Sequence, residues 1–290
     1  MSNGTMNAIG GLVSGTYQIT FTATYSTNPA MTVAQSGITI TFGNASKLAL
    51  TTQASGFVNR SNFTVQPAVT VQDAYNNTVT NYSTAVSVAM SGGSTLTGSS
   101  TTATPSSGVA TFSGLGAYGL VSNTNVLTFS SGSLATDIQT FSLTHGAAYQ
   151  LGITTQASGA TNRSVFTVQP VVEIRDQDGN RVTTGTESTQ DVVASSSAAT
   201  LGGTVTKPAV GGVATFTDLK LTGTAAASIT LTYTISSPST KTNTQTIALV
   251  AGAPTQLIVK TAAATCQSRI ACVTQPIVWI ADADGNATTS

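Results

Sequence analysis

The chain has 290 residues, room for roughly two domains or three small ones. Only 7 % are charged, ten basic and ten acidic, against about 25 % in ordinary soluble proteins. No basic stripe exists to meet phosphate, which excludes nucleic acid as an expected partner, and no apolar run reaches the ~18 residues of a spanning helix. Ser and Thr replace charges as the water-facing groups. With 40 % hydrophobic residues, the chain reads as a folded, threonine-faced β protein and not as disorder.

The opening, MSNGTMNAIGG, lacks the basic flank and continuous apolar core of an export signal. Further on, GITITF from Gly37 sets Ile38, Ile40 and Phe42 on one face. Then TTQASGFVNRSNFTVQPAV, from Thr51, returns almost unchanged as TTQASGATNRSVFTVQPVV from Thr154. Gln53 and Gln156 open equivalent copies and give a period of 103 residues. Within the second copy, LGITT, VFTVQ, PVVEIRD, QDVVAS, GVATFTDL, SITLTYTI and NTQTIALV each predict a short strand, several of them separated by turn clusters. Alternation is cleanest where Ile229, Leu231, Tyr233 and Ile235 share one face. A divergent third copy, QLIVKTAAATCQSRIACVTQPIVWIADADGN, starts at Gln256 and aligns with Gln150 onward at an offset of 106. Second halves repeat as well, SGVATFSGL from Ser107 answering GGVATFTDL from Gly211. No segment keeps a helical period. A period near 100 exceeds the roughly 20 to 50 residues of solenoid units and matches an immunoglobulin-like sandwich of about 100.

The frame L-x-I-T-T-Q, F-x-x-Q-P-V-V-x-I-x-D-x-x-G-N-x-V and G-V-A-T-F-x-x-L resembles bacterial immunoglobulin-like repeats of large cell-surface and adhesin-type proteins. The resemblance covers essentially the whole chain. It implies an all-β fold of tandem immunoglobulin-like β-sandwich domains, strung as a rod, and an extracellular or cell-surface location. By this register residues 1–46 are the C-terminal half of a domain, with Gly4 matching Gly108 and Gly212. Residues 47–149 and 150–255 are whole domains, and 256–290 are an N-terminal half. Neither half should bury enough surface to fold unaided, since chains below about 40 residues rarely do. Either the sequence is a window on a longer repeat protein, or halves of successive molecules complete each other head to tail. Strand addition at open edges is a third route to a polymer. The expected role is a structural subunit or segment of an extracellular filament, stalk or surface layer, with copies of itself as partner. The alternative is an adhesin stalk presenting a cell- or glycan-binding region outside this stretch.

Several residue groups carry candidate chemistry. Asp176 and Asp178, followed by Gly179-Asn180, look like a calcium-loop opening, as do Asp282 and Asp284 before Gly285-Asn286. The first copy has Asp73-Ala-Tyr75-Asn76-Asn77 and lacks the second carboxylate. Calcium takes six or more oxygens, and the same residues also suit a tight turn after a strand. Asn59, Asn62, Asn76, Asn81 and Asn162 begin glycosylation sequons. Cys266 and Cys272 occur in the third copy only, and an oxidising compartment would close them as a disulfide loop. Arg60, Arg163 and Arg269 recur at one position per copy, where a structural pairing or stacking role is expected. Ile277 and Trp279 stand where the second copy has Val171 and Glu173, on the outward face, and are interface candidates. His145 reads as a linker residue. No catalytic triad, nucleophile elbow or phosphate loop is present, so an enzyme is not expected, nor any cofactor beyond calcium.

Overall fold

The computed structural model describes residues 13–25 and 28–288; Gly4 and the other residues of the opening segment lie outside them. Apart from a 3-10 turn at Thr186–Thr189, the regular structure is all strand. The chain divides into two compact units between Thr144 and His145. The sequence places that boundary after Tyr149. The amides of Gly146 and Ala148 donate to Asp176 and Glu187, at 2.9 and 2.6 Å, within the second unit.

The first unit begins with an antiparallel hairpin, Gly15–Tyr25 against Asn28–Ile40. A sandwich follows. One sheet pairs Lys47–Thr52, Ala68–Gln72 and Val109–Thr111; the other orders Asp137–Phe141, Asn125–Ser130, Val86–Ser91 and Thr102–Ala103. Parallel bridges from Lys47 to Ala135 and from Val58 to Thr144 tie the first strand region to the last, which shields an edge that would otherwise invite pairing.

The second unit repeats the plan. Gln150–Thr155, Val171–Arg175 and Val213–Thr215 form one sheet. The other is five-stranded, ordered Ala160–Thr161, Lys241–Val250, Ala226–Ile235, Asp191–Ser196 and Thr206–Pro208. Ala160–Thr161 again runs parallel to the last strand. The third copy contributes a hairpin, Gln256–Thr261 against Ile277–Ala281.

The two cores are built from equivalent positions. Leu48, Phe63, Val69, Val71, Ala110, Phe112 and Leu127 in the first sandwich answer Leu151, Phe166, Val172, Ile174, Ala214, Phe216 and Leu231 in the second, all buried. Each fully buried aliphatic or aromatic side chain contributes roughly 1.5–3 kcal/mol. That regularity is why period-two alternation was readable. VFTVQ is the exception: Val165 and Val168 make only isolated bridges. Gln169 is the reason. Its amide donates to the Leu219 carbonyl and accepts from the Leu219 amide, both at 3.0 Å, so a side chain takes the place of a ladder. Gln66 does the same at Leu115 in the first copy.

Candidate functional site

The aspartate turns after Ala68–Gln72, Val171–Arg175 and Ile277–Ala281 share one construction. In the third copy, Asp282 Oδ1 accepts from the amides of Asp284 and Asn286, both at 3.0 Å. Asn286 Nδ2 donates to Asp282 Oδ2 at 2.9 Å. Asp176 closes on Asp178 and Asn180 in the same way, at 3.0 and 2.9 Å, and Asp73 on Tyr75 and Asn77, both at 2.9 Å. The turn needs a left-handed residue, which Gly179 (φ 88°) and Gly285 (φ 80°) supply; in the first copy Asn76 takes it at φ 69°, as asparagine tolerates.

The second oxygen of each aspartate reaches the segment leading into its own copy. Asp73, Asp176 and Asp282 Oδ2 accept from Gly43, Gly146 and Gly252 at 2.8, 2.9 and 2.8 Å. These glycines are the equivalent residues of TFGNASKL, THGAAYQL and VAGAPTQL. At Gly252 a Cβ would meet the Asn162 carbonyl at 2.8 Å, so the close approach itself demands glycine. His145 is tied into the same segment, its Nε2 accepting from the Thr184 amide at 3.2 Å.

At the junction of the second and third copies the turn also meets an asparagine–arginine pair. Asn162 Nδ2 donates to Asp282 Oδ2 and Asp284 Oδ2 at 2.8 and 2.7 Å, while its Oδ1 accepts from Gly223 at 3.0 Å. Arg163 forks onto Asp284, Nε to Oδ2 and Nη2 to Oδ1, both at 2.7 Å. Asn286 closes the other side, accepting from the Ala225 amide at 2.7 Å and donating to the Gly223 carbonyl at 2.9 Å. The first copy repeats part of this contact toward the residues before it, where the Ser14 amide donates to Asn77 Oδ1 at 2.6 Å. Bidentate guanidinium–carboxylate pairs add geometric specificity to charge.

Burial alone would raise the pKa of Asp282; hydrogen bonds from Asn286, Gly252 and Asn162 outweigh it and hold the carboxyl well below its ordinary value. At Asp73 burial likewise pulls upward, and the donors from Gly43, Asn77 and Tyr75 bring it down to about 2. Asp284 is lowered by Arg163 first and Asn162 second, and Arg163 is raised by its hydrogen bond and charge interaction with Asp284.

Arginine sits here at a conformational cost. Arg60, Arg163 and Arg269 all have positive φ, 62°, 67° and 59°, at the third residue of a turn closed by hydrogen bonds from Ser61 to Val58, Ser164 to Thr161 and Ile270 to Gln267. Glycine or asparagine is favoured at such a position. Keeping arginine in left-handed backbone costs of order 1 kcal/mol and marks a side chain the site requires. Arg60 additionally lies over the Tyr118 ring, 4.7 Å from its centroid.

The other expected residues fall as follows. Cys266 and Cys272 are joined, with sulfurs 2.00 Å apart. They occupy the positions of Phe57 and Phe63, whose rings pack edge to face at 5.0 Å in the first copy. Trp279 and Ile277 face outward, and Lys260 Nζ lies 4.3 Å from the Trp279 ring centroid. The inner face of the same hairpin is exposed as well: Leu257 and Ile280 are 71 % and 51 % accessible, where their equivalents Leu151 and Ile174 are 4 % and 0 %. Of the sequon asparagines, Asn59 and Asn162 are buried. The first holds Gly119 at 2.9 Å as the second holds Gly223. The sequon pattern concealed that role; the invariant N-R-S in two copies was the available signal. Asn62, Asn76 and Asn81 are exposed. Among the described residues no group of three or more His, Cys, Asp or Glu gathers as a metal-ligand set, and no helix is long and apolar enough to cross a membrane.

No family model and no curated protein sequence matches the chain. Solved structures similar to it include the extracellular domain of protocadherin gammaB4, at 12 % identity and TM-score 0.35, with 91 % of this chain and 42 % of that one covered. Extracellular cadherin domains 1–5 of protocadherin gamma B2 align at 14 % identity and TM-score 0.31, over 83 % and 46 %. A beta-glycosidase from Bacteroides vulgatus aligns at 10 % identity and TM-score 0.29, over 71 % and 25 %. The chain thus spans less than half the length of each. The protein is an all-β assembly of immunoglobulin-like sandwiches.

Proposed function

We propose that this chain is a structural segment of an extracellular filament, stalk or surface layer, built from tandem immunoglobulin-like copies. The observation that carries the reading is the aspartate turn. In all three copies its second oxygen accepts from a glycine amide of the segment leading into that copy, so the same residues hold the entering chain each time. A module that served only as a scaffold for a site would not need its ends specified three times. The work proposed is mechanical: the number of copies sets length. Copies of the same chain are the proposed partners.

Labelling intact and permeabilised source cells with antibody against the folded chain tests the proposal. Signal on intact cells, arrayed on filaments or as a continuous layer in negative stain, is the expected result. Signal appearing only after permeabilisation would overturn it.

A further inference from the structure

We infer that a guanidinium, and not a divalent cation, locks the junction between the second and third copies. Two carboxylates, Asp282 and Asp284, meet there, close enough to share Asn162 Nδ2 as a donor. Each charge disfavours ionisation of the other, an effect that positive charge nearby offsets. The Asp-x-Asp-Gly-Asn order suggests calcium as the source, but the donors around it have the wrong polarity for a metal. Asp282 accepts from the amides of Asp284, Asn286 and Gly252 and from the side-chain nitrogens of Asn286 and Asn162. A carboxylate offers about four lone-pair positions, so its acceptor capacity is taken by N–H groups. Each of these N–H groups takes up acceptor capacity that a bound cation would need. Calcium requires six or more converging oxygens, and here nitrogens converge.

The charge comes from Arg163. It covers both oxygens of Asp284 from a left-handed backbone position that Arg60 and Arg269 share. The lock therefore joins residues of two copies without a third component: Asn162 and Arg163 from one, Asp282, Asp284 and Asn286 from the next. The inference rests on reading the copies as docked modules and is independent of where in or on the cell they lie. A failure of surface labelling would leave it standing.

Amide hydrogen exchange by NMR on the whole chain tests it. The junction amides of Gly252 and Ala225, which donate to Asp282 and Asn286, are the reporters; Val172 and Ile174 report on the second core. In Arg163→Met the junction amides should exchange roughly threefold faster or more, as for loss of a partly exposed ion pair, with core amides unchanged. Adding millimolar calcium, or a chelator, should leave the unsubstituted chain at its original rates. Faster exchange on chelation, slower exchange with calcium, or unchanged junction amides in Arg163→Met would each overturn the inference. If Arg163→Met also loosens the core, Asp284→Asn decides. It cuts the same link from the third copy and leaves the second copy's sequence intact, and junction amides that stay at their original rates would count against the lock.

Discussion

Asn125 and Tyr233 show how two nearly identical folds differ at single residues. Asn125 is fully buried, and neither atom of its amide has a hydrogen-bond partner among the described residues. Ile229 holds the same place in the second copy, also fully buried. The roles reverse four residues further along the strand, where Tyr233 buries an unpartnered hydroxyl and the first copy has Phe129. Burial pushes the Tyr233 pKa upward, so the group stays a neutral phenol and the cost is that of a desolvated hydroxyl. Removing a buried polar group that lacks a partner recovers about 1–3 kcal/mol. Asn125→Ile should stabilise the first sandwich toward the upper end of that range, since two polar atoms are removed, and Tyr233→Phe the second by about 1 kcal/mol. Urea midpoints measure both. A lower midpoint in either variant would mean that the polar group has a stabilising partner.

At the scale of elements, alternation and side-chain clasps were unequally legible. Ala226–Ile235 could be read directly, because Ile229, Leu231, Tyr233 and Ile235 alternate with threonines and all four are buried. Two- and three-residue strands such as Ala160–Thr161 and Thr200–Gly202 are too short to show a period. Glutamine clasps are silent in any hydropathy pattern. Gln139 binds both backbone groups of Ala54, at 2.9 and 2.7 Å, and Gln245 both of Ala157, at 3.0 and 3.1 Å. Only their equivalent places in the repeat could have disclosed them. Each clasp pins the bend where the first strand leaves one sheet for the other. Gln245→Leu keeps the volume and strands an amide and a carbonyl, at about 1–3 kcal/mol each. Its urea midpoint should fall by the equivalent of about 3 kcal/mol, and a change below ~0.5 kcal/mol would show that water replaces the clasp.

For the whole molecule, the scarcity of charge makes acid behaviour depend on few groups. Asp73 in the first unit has a folded pKa of about 2 against 3.8 for the unperturbed group, and Asp282 and Asp284 in the second are lowered too. A carboxylate whose folded pKa is depressed stabilises the fold fully above its unfolded value and progressively less as pH falls toward the folded one. These groups therefore add nothing to the pH dependence between about pH 5 and 8, and they destabilise both units from about pH 4 downward. Thermal melts over that range should show a flat neutral region and an acid limb. Asp282→Asn should lie below the unsubstituted chain at neutral pH, because an amide nitrogen would face the donors of Gly252 and Asn162. Its acid limb should be shallower, since one of the titrating groups is gone. Parallel acid limbs for the two proteins would mean that Asp282 titrates alike in the folded and unfolded chain. The aspartate turn would then hold the copies by geometry alone, without the charge that its donors are arranged to stabilise.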